Sequence, residues 1–182
     1  MKALGLDEVW WLVSPGNPLK PAKGMASYPA RLASARAMTR GTWIRVSDIE
    51  VQLGTRFTVD TVTAIVRRYP ADRFIWLMGA DTVAQFHQWK KWRKLAGTIP
   101  IAVLSRPGYG SQARAARAMG WLRWFVHPAA TARRWTNWSA PAISLLRLPP
   151  DPTSATRLRA LDPDWHRRFA TPLARAPSQE LN

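Results

Sequence analysis

The chain has 182 residues, which is enough for one well-buried core and too few for two domains of ordinary size to be expected. Its 27 Lys and Arg residues against 11 Asp and Glu give a formal net charge of +16, and the absence of cysteine excludes disulfides and thiolate metal sites. The sequence has neither a run of about 18 apolar residues nor a secretory signal, so we expect a cytoplasmic protein that does not enter membranes.

The positive charge raises nucleic-acid binding as one class of function, because a basic surface attracts polyanions. The basic residues are scattered along the chain, however, and no nucleic-acid motif accompanies them. The 11 tryptophans could stack on bases. Three of them, Trp10, Trp11 and Trp76, lie inside strand-like runs, where we expect core positions. Solvated basic faces explain most of the charge, and specific nucleic-acid binding is disfavoured.

Four elements are predicted in the first 50 residues from the spacing of apolar side chains. They are the last turn of a helix over 1–5, a strand over 9–13, a helix over 27–39 and a strand over 43–49. The proline-rich loop 14–20 follows the carboxyl end of the first strand. There Asn17 and Lys20 could meet an anion, or the loop could be only a rigid turn.

The polar segment 54–58 leads into a predicted helix over 59–69, in which valine and isoleucine recur on one face. Thr58 stands directly before this helix. Its hydroxyl could cap the helix or could face a ligand.

A strand, a turn and a helix are predicted in immediate succession between residues 74 and 89. The apolar run 74–78 is typical of a strand buried on both faces of a parallel sheet. Asp81 then stands where it could cap a helix over 82–89. Because ligands of open α/β sheets bind beyond the carboxyl ends of the strands, Asp81 could instead contact a ribose or a phosphate.

The remainder of the chain is predicted to add strands over 99–104, 121–126 and 142–146. Arg106 lies in the turn after the first of these. The hydroxyl-rich segment 153–159 is predicted to start a helix, where free N–H groups favour phosphate, although hydroxyls there are also common caps. Residues 174–182 are expected to form a frayed tail.

The three histidines, His87, His127 and His166, are isolated in the sequence. No pair of them has the spacing of metal ligands. No metal site is therefore predicted, and core or surface positions are expected for all three.

Five segments occur in the same order and at similar spacing as in one enzyme family. They are VWWLVSPGNPLK at 9–20, GTRFTVDTV at 54–62, FIWLMGADTVAQFHQWKKW at 74–92, IAVLSRPGY at 101–109 and SATRLR at 154–159. On these segments the chain resembles bacterial nicotinate-nucleotide adenylyltransferases.

The resemblance implies an α/β fold with a doubly wound parallel sheet, the Rossmann-like nucleotidyltransferase fold, in a single domain over 1–173. It implies adenylyl transfer from ATP to nicotinate mononucleotide with Mg²⁺, which gives nicotinate adenine dinucleotide and pyrophosphate in NAD biosynthesis. No covalent enzyme intermediate is expected, because such catalysis relies on positioning and electrostatics. A related enzyme acting on nicotinamide mononucleotide or phosphopantetheine is the alternative.

The resemblance also assigns residues to two substrates. Thr58, Trp89 and Lys20 are expected at nicotinate mononucleotide, with Trp89 stacked on the pyridine ring. For ATP, Asp81 and Arg106 are expected near the nucleotide, and a Ser-x-Thr-x-x-Arg phosphate site is formed by Ser154, Thr156 and Arg159.

One family feature does not occur in this sequence: the Gly-rich segment ending in His-x-Gly-His, which holds the ATP phosphates after the first strand. The resemblance therefore implies that a strand, this loop and most of a helix precede Met1, or that the chain as given is an inactive form. Catalytic residues stay unassigned for this reason.

Overall fold

The computed structural model describes residues 3–16, 25–104, 110–147 and 155–169. Within these ranges, parallel strands alternate with helices, which confirms the predicted α/β class. None of the described helices is long and apolar enough to cross a membrane.

Five strands are described, each four residues long. They are β1 (Val9–Leu12), β2 (Ile44–Ser47), β3 (Trp76–Gly79), β4 (Ile101–Leu104) and β5 (Ile143–Leu146).

The described helices connect these strands in chain order. They are α1 (Tyr28–Met38), α2 (Ile49–Gln52), α3 (Thr58–Arg68), α4 (Ala80–Phe86), α5 (Trp92–Ala96), α6 (Gly110–Ala115), α7 (Met119–Leu122) and α8 (Ala155–Leu161). Three 3-10 helices span Arg123–Phe125, Ala129–Asn137 and Trp165–Phe169.

The strands form two parallel sheets, where a single sheet was expected. One sheet pairs β1 with β2, and the other has the order β3-β4-β5. Side chains bridge the two sheets: the Trp10 ring meets the Tyr69 and Phe74 rings edge to face, at centroid distances of 5.3 and 5.7 Å. Within the described residues, the contact between β1 and the β3 region is therefore aromatic packing and not a backbone ladder.

The main core lies on one face of the three-stranded sheet. Helix α3 is amphipathic, and its Val59, Val62 and Ile65 are each no more than 5% exposed. Full burial of such side chains stabilises a fold by about 1.5–3 kcal/mol each. Phe86 and Leu95, from α4 and the following α5, are completely buried in the same cluster.

A smaller cluster covers the opposite face of this sheet. Leu4 and Trp135 pack there against Ala102 and Leu146, and Trp135 Nε1 donates a hydrogen bond of 2.9 Å to the Leu4 carbonyl oxygen. The three-stranded sheet is thus covered on both faces, as a doubly wound arrangement requires.

The predicted strand over 121–126 is wrong. Residues 119–122 form α7, and only Val126 makes an isolated parallel bridge, to Ile143. The buried residues Ala118, Met119 and Leu122 recur at helical spacing. The apolar run therefore fills the core as a helix, since short apolar runs do not distinguish a strand from a helix.

The expectation that the strand tryptophans are core residues is wrong for Trp11, which is 40% exposed. Trp10 and Trp76 are half-buried. Successive side chains of a strand point to opposite faces, so in the two-stranded sheet Trp11 lies on the more open face while Trp10 packs inward.

Candidate functional site

The candidate site lies where β3 ends and α4 begins. Gly79 is both the last residue of β3 and the N-cap of α4, so no loop separates strand from helix. A Cβ placed on Gly79 would lie 2.3 Å from Asp81 Oδ1. The Asp81 carboxylate therefore folds back over the Gly79 backbone, toward the carboxyl end of the strand.

One of the two predictions for Asp81, that it caps α4, is wrong. The helix starts at Ala80, and Asp81 is in its first turn. A negative side chain there interacts favourably with the helix dipole. The half-buried carboxylate at the strand end leaves the other prediction, a ligand contact, in place.

Thr58 does not cap α3 either. Phe57 occupies the N-cap position with an extended backbone, and Thr58 is the first helical residue. The half-buried Thr58 hydroxyl makes no hydrogen bond with any residue that the structure describes. The hydroxyl and the free N–H groups of the first helical turn are thus available to a ligand.

Trp89 lies outside the helix in which it was expected. Helix α4 ends at Phe86, and Trp89 belongs to the turn before α5. Its half-buried ring is held edge to face by Phe86 and Trp76, at centroid distances of 5.5 and 6.3 Å. Two neighbouring rings therefore fix an indole that stays partly open to solvent.

A contact that the sequence did not predict joins the Trp89 turn to the start of α3. Lys90 Nζ lies 3.1 Å from Asp60 Oδ2 and 4.1 Å from the centroid of the Phe57 ring. Lys90 follows Trp89 directly, and Phe57 precedes Thr58. The structure thus brings together the two segments that carry the predicted mononucleotide residues.

A second polar cluster lies beyond the carboxyl ends of β1 and β2. Glu50 is only 7% exposed, and its Oε2 has no hydrogen-bond partner among the described residues. Burial raises the pKa of the Glu50 carboxyl, and a hydrogen bond from Ser14 opposes this. Burial, and then the nearby Asp48 charge, raises the pKa of Tyr28, whose buried hydroxyl is also unpartnered within the described part.

Arg31 fixes the loop that leaves β1. Its guanidinium donates to the Ser14 and Pro15 carbonyl oxygens, at 2.6 and 2.9 Å. Sequence reasoning missed Arg31, Tyr28 and Glu50. Their contacts join segments that are far apart in the chain, so no local sequence pattern indicates them.

The other predicted phosphate and nucleotide residues fall outside the described part of the chain. Lys20, Arg106 and Ser154 lie between the described ranges. Thr156 and Arg159 belong to α8, but their side chains are not among those described.

The histidines are separated in the structure as well as in the sequence. His127 stacks on Trp138 at a centroid distance of 4.2 Å, and the Nδ1 atom of His87 is buried. Across the described ranges, no three His, Asp or Glu side chains gather into a group that could hold a metal ion.

Comparison with known proteins gives a family match over most of the chain. The family described as cytidylyltransferase-like matches residues 1–160. A relative from Erythrobacter litoralis named "Probable nicotinate-nucleotide adenylyltransferase" is 56% identical over 173 residues, covering 95% of this chain and 79% of the relative. Relatives of the same name from Parvibaculum lavamentivorans and Gluconobacter oxydans are 50% and 48% identical over 159 residues, covering 87% of this chain and 79% and 82% of their own.

Solved structures of similar fold were also found. Two structures of Plasmodium falciparum nicotinic acid mononucleotide adenylyltransferase, complexed with APC and with NaAD, have TM-scores of 0.59 and 0.61 to this chain. Each alignment covers 87% of this chain and 72% of the other, at 13% and 14% identity, so the likeness shows the fold alone. On the family match and these close relatives, the chain belongs to the cytidylyltransferase-like family and, within it, to the nicotinate-nucleotide adenylyltransferases, which are nucleotidyltransferases.

Proposed function

We propose that this protein transfers the adenylyl group of ATP to nicotinate mononucleotide. The observation that carries the proposal is the meeting of the Thr58 helix start and the Trp89 turn, in a chain 56% identical to a named adenylyltransferase. Both segments contribute to the core cluster that packs against β3, and β3 ends at Gly79, two residues before Asp81.

The acceptor pocket is proposed to lie between Thr58 and Trp89. A pyridine ring stacks on the open part of the Trp89 indole, where aromatic stacking adds about 0.5–1.5 kcal/mol beyond area burial. The Thr58 hydroxyl and the first N–H groups of α3 donate hydrogen bonds to the negatively charged groups of the mononucleotide. Lys20 is proposed as an additional cation at this substrate.

The nucleotide is proposed to bind beyond the carboxyl ends of β3 and β4, where open α/β sheets bind ligands. Asp81 contacts the ribose side of ATP. Arg106 and the segment containing Ser154, Thr156 and Arg159 hold the phosphates. Basic and hydroxyl groups at a helix start suit this task because they place donors around phosphate oxygens.

The proposed chemistry is one displacement at phosphorus. An oxygen of the mononucleotide phosphate forms a bond to the α-phosphorus of ATP, and the bond from that phosphorus to the bridging β-phosphate oxygen breaks. The products are nicotinate adenine dinucleotide and pyrophosphate, so atoms and charge balance without a covalent enzyme intermediate. The protein contributes alignment of the two reactants, which alone can supply a large part of the barrier reduction.

Mg²⁺ is proposed to enter on the phosphates of ATP. The described side chains form no group of His, Asp and Glu that fits a divalent cation. A Mg²⁺ ion carried in with ATP would need few protein ligands, since Mg²⁺ usually keeps several waters, and it would supply positive charge to the phosphates. No step is therefore assigned to a metal held by described residues.

We further propose that residues 1–173 act as one domain in the cytoplasm. The main core cluster contains residues from α3 through β5, and the smaller cluster covers the opposite face of the same three-stranded sheet. An enzyme that uses two soluble, charged nucleotides needs no membrane.

The test is pyrophosphate release with Mg-ATP and a panel of acceptors. It is run on the 182-residue chain and on a version extended by in-frame codons upstream of Met1. The proposal expects nicotinate mononucleotide to support turnover and to outcompete nicotinamide mononucleotide and phosphopantetheine. Preference for either alternative acceptor would assign the protein to that reaction instead, and a folded extended chain without turnover would refute adenylyl transfer.

A further inference from the structure

A cavity of about 940 Å³ lies alongside β5, the edge strand of the three-stranded sheet. Its walls come from α6, α7, the segment 126–129 and the end of β5. Neither Thr58 nor Asp81 nor Trp89 lines it. The cavity is therefore separate from the described part of the proposed catalytic site.

The charge around this cavity is of one sign. Arg114, Arg117, Arg123 and Arg147 line it together with His127, and no Asp or Glu is among the lining residues. None of the four arginines forms an ion pair with a described carboxylate. Four guanidinium groups that line one cavity without a described carboxylate partner repel one another and raise the local concentration of anions.

The four arginines come from different parts of the chain and all line the same cavity. Arg114 belongs to α6, Arg117 to the connection between α6 and α7, Arg123 to the following 3-10 helix, and Arg147 follows β5. A guanidinium presents a planar fork of donors that matches phosphate oxygens in a bidentate way. Several such groups on one cavity suit a compact, multiply charged ligand.

The floor of the cavity is apolar. Met119 and Leu146 are buried, with 7% and 5% exposure, and Ala116 lies beside them. The volume is in the range of pockets that bind small molecules, which combine an apolar lining with a few polar groups. The floor can accept the non-phosphate part of a ligand while the arginines hold its charge.

We propose that this cavity, which none of Thr58, Asp81 and Trp89 lines, binds a small anionic molecule that carries two or more linked phosphate groups. The binding is reversible and involves no covalent step. Nucleic acid is the other polyanion to weigh. Nucleic acid is disfavoured because it requires a basic surface that extends along its backbone, whereas these four arginines line a single cavity.

The experiment uses inorganic tripolyphosphate, which is neither substrate nor product of the proposed reaction. Its binding is measured by calorimetry on the full chain, without Mg²⁺, near 150 mM KCl so that diffuse surface attraction is screened. The cavity variants are Arg117→Gln with Arg123→Gln, and Arg114→Gln with Arg147→Gln. The matched control, Arg40→Gln with Arg67→Gln, removes the same charge from exposed positions that do not line the cavity.

In each cavity variant we expect the affinity for tripolyphosphate to fall by about ten-fold or more, so that the calorimetric signal of this binding event is lost. The affinity of the control variant should stay within about two-fold of the wild type. Melting curves establish that each variant is folded, and the second cavity variant replaces the first if that one unfolds. Equal weakening in cavity and control variants, unchanged binding in the cavity variants, or no binding by the wild type would each overturn the proposal. A duplex oligonucleotide that binds more tightly than tripolyphosphate, and loses affinity in the cavity variants, would assign the surface to nucleic acid instead.

Discussion

Trp89 is the residue on which acceptor recognition most depends in this account. The change Trp89→Ala removes the stacking surface, so the KM for nicotinate mononucleotide should rise about ten-fold while the KM for ATP changes little. Steady-state kinetics with each substrate varied in turn measures both values. Trp43, which is 73% exposed, provides the matched control, and Trp43→Ala should leave both KM values unchanged. Equal losses for ATP and mononucleotide in the Trp89 variant would mean that Trp89 only supports the fold.

Glu50 is expected to make the stability of the protein depend on pH. Burial raises its pKa in the folded state above the value in the unfolded chain, so the folded state favours the protonated carboxyl. The associated stability is fully present below the unfolded pKa and is lost as pH rises through the folded pKa. The change Glu50→Gln should therefore raise the melting temperature at pH 7 and have little effect near pH 4.

For a domain of this length, a change of about 1 kcal/mol in the free energy of unfolding shifts the melting temperature by roughly 2–4 °C. Melting curves across pH for the wild type and the Glu50 variant provide the measurement. Asp72→Asn, at an exposed position, is the control and should not reproduce the pH-dependent gain. A Glu50 variant that is less stable than the wild type at pH 7 would show that the carboxylate has a stabilising partner.

At the scale of elements, the direct β3–α4 junction places the Asp81 carboxylate close to the Gly79 backbone. A methyl group at Gly79 would lie 2.3 Å from Asp81 Oδ1, and the flexible end of a side chain is what must move. The change Gly79→Ala should therefore displace the Asp81 carboxylate and raise the KM for ATP, with a smaller effect on stability. Gly120→Ala in α7 is the control, because nothing lies within 4 Å of its added Cβ. Unaltered ATP kinetics in the Gly79 variant would remove Asp81 from the nucleotide site.

The contact between α3 and the Trp89 turn gives a second prediction at this scale. Lys90→Met removes both the ion pair with Asp60 and the charge over the Phe57 ring. Both contacts are partly exposed and contribute about 1 kcal/mol or less each, so the KM for the mononucleotide should rise by roughly three-fold. The neighbouring change Lys91→Met removes the same charge without these contacts. The account is contradicted if both variants have the same KM.

Sequence patterns predicted the strand–helix alternation well where apolar runs were long or flanked by clear turn signals. The helices over 28–38 and 58–68 and the strands at 9–12 and 101–104 lie within or next to the predicted ranges. Residues 121–126 were predicted wrongly, because a short apolar run fits a buried helix as well as a strand. The caps of α3 and α4 were displaced by one or two residues, since side-chain caps are absent at both helices.

At the scale of the whole molecule, the tertiary contacts of the site were not accessible from local patterns. The Lys90–Asp60 contact joins residues 30 positions apart, and the Glu50 cluster joins three separate segments. The roles of Thr58 and Trp89 came only from the resemblance to a family, since neither residue type has a spacing that indicates nucleotide chemistry.

The charge of +16 also belongs to the scale of the whole molecule. A surface of this sign attracts both substrates of the proposed reaction, since ATP and the mononucleotide are both anions, and raises their rate of encounter with the protein. Attraction of the proposed substrates therefore accounts for the positive charge without a nucleic-acid partner.

The most direct test of the central claim follows the phosphorus atom that is transferred. ATP labelled at the α-phosphorus is incubated with Mg²⁺, nicotinate mononucleotide and the protein, as the given chain and with any upstream in-frame extension, and the products are separated. Adenylyl transfer predicts that the label appears in nicotinate adenine dinucleotide in step with pyrophosphate, and only when the mononucleotide is present. Label that stays in ATP with a folded extended protein, or that appears in AMP regardless of the acceptor, would contradict the account.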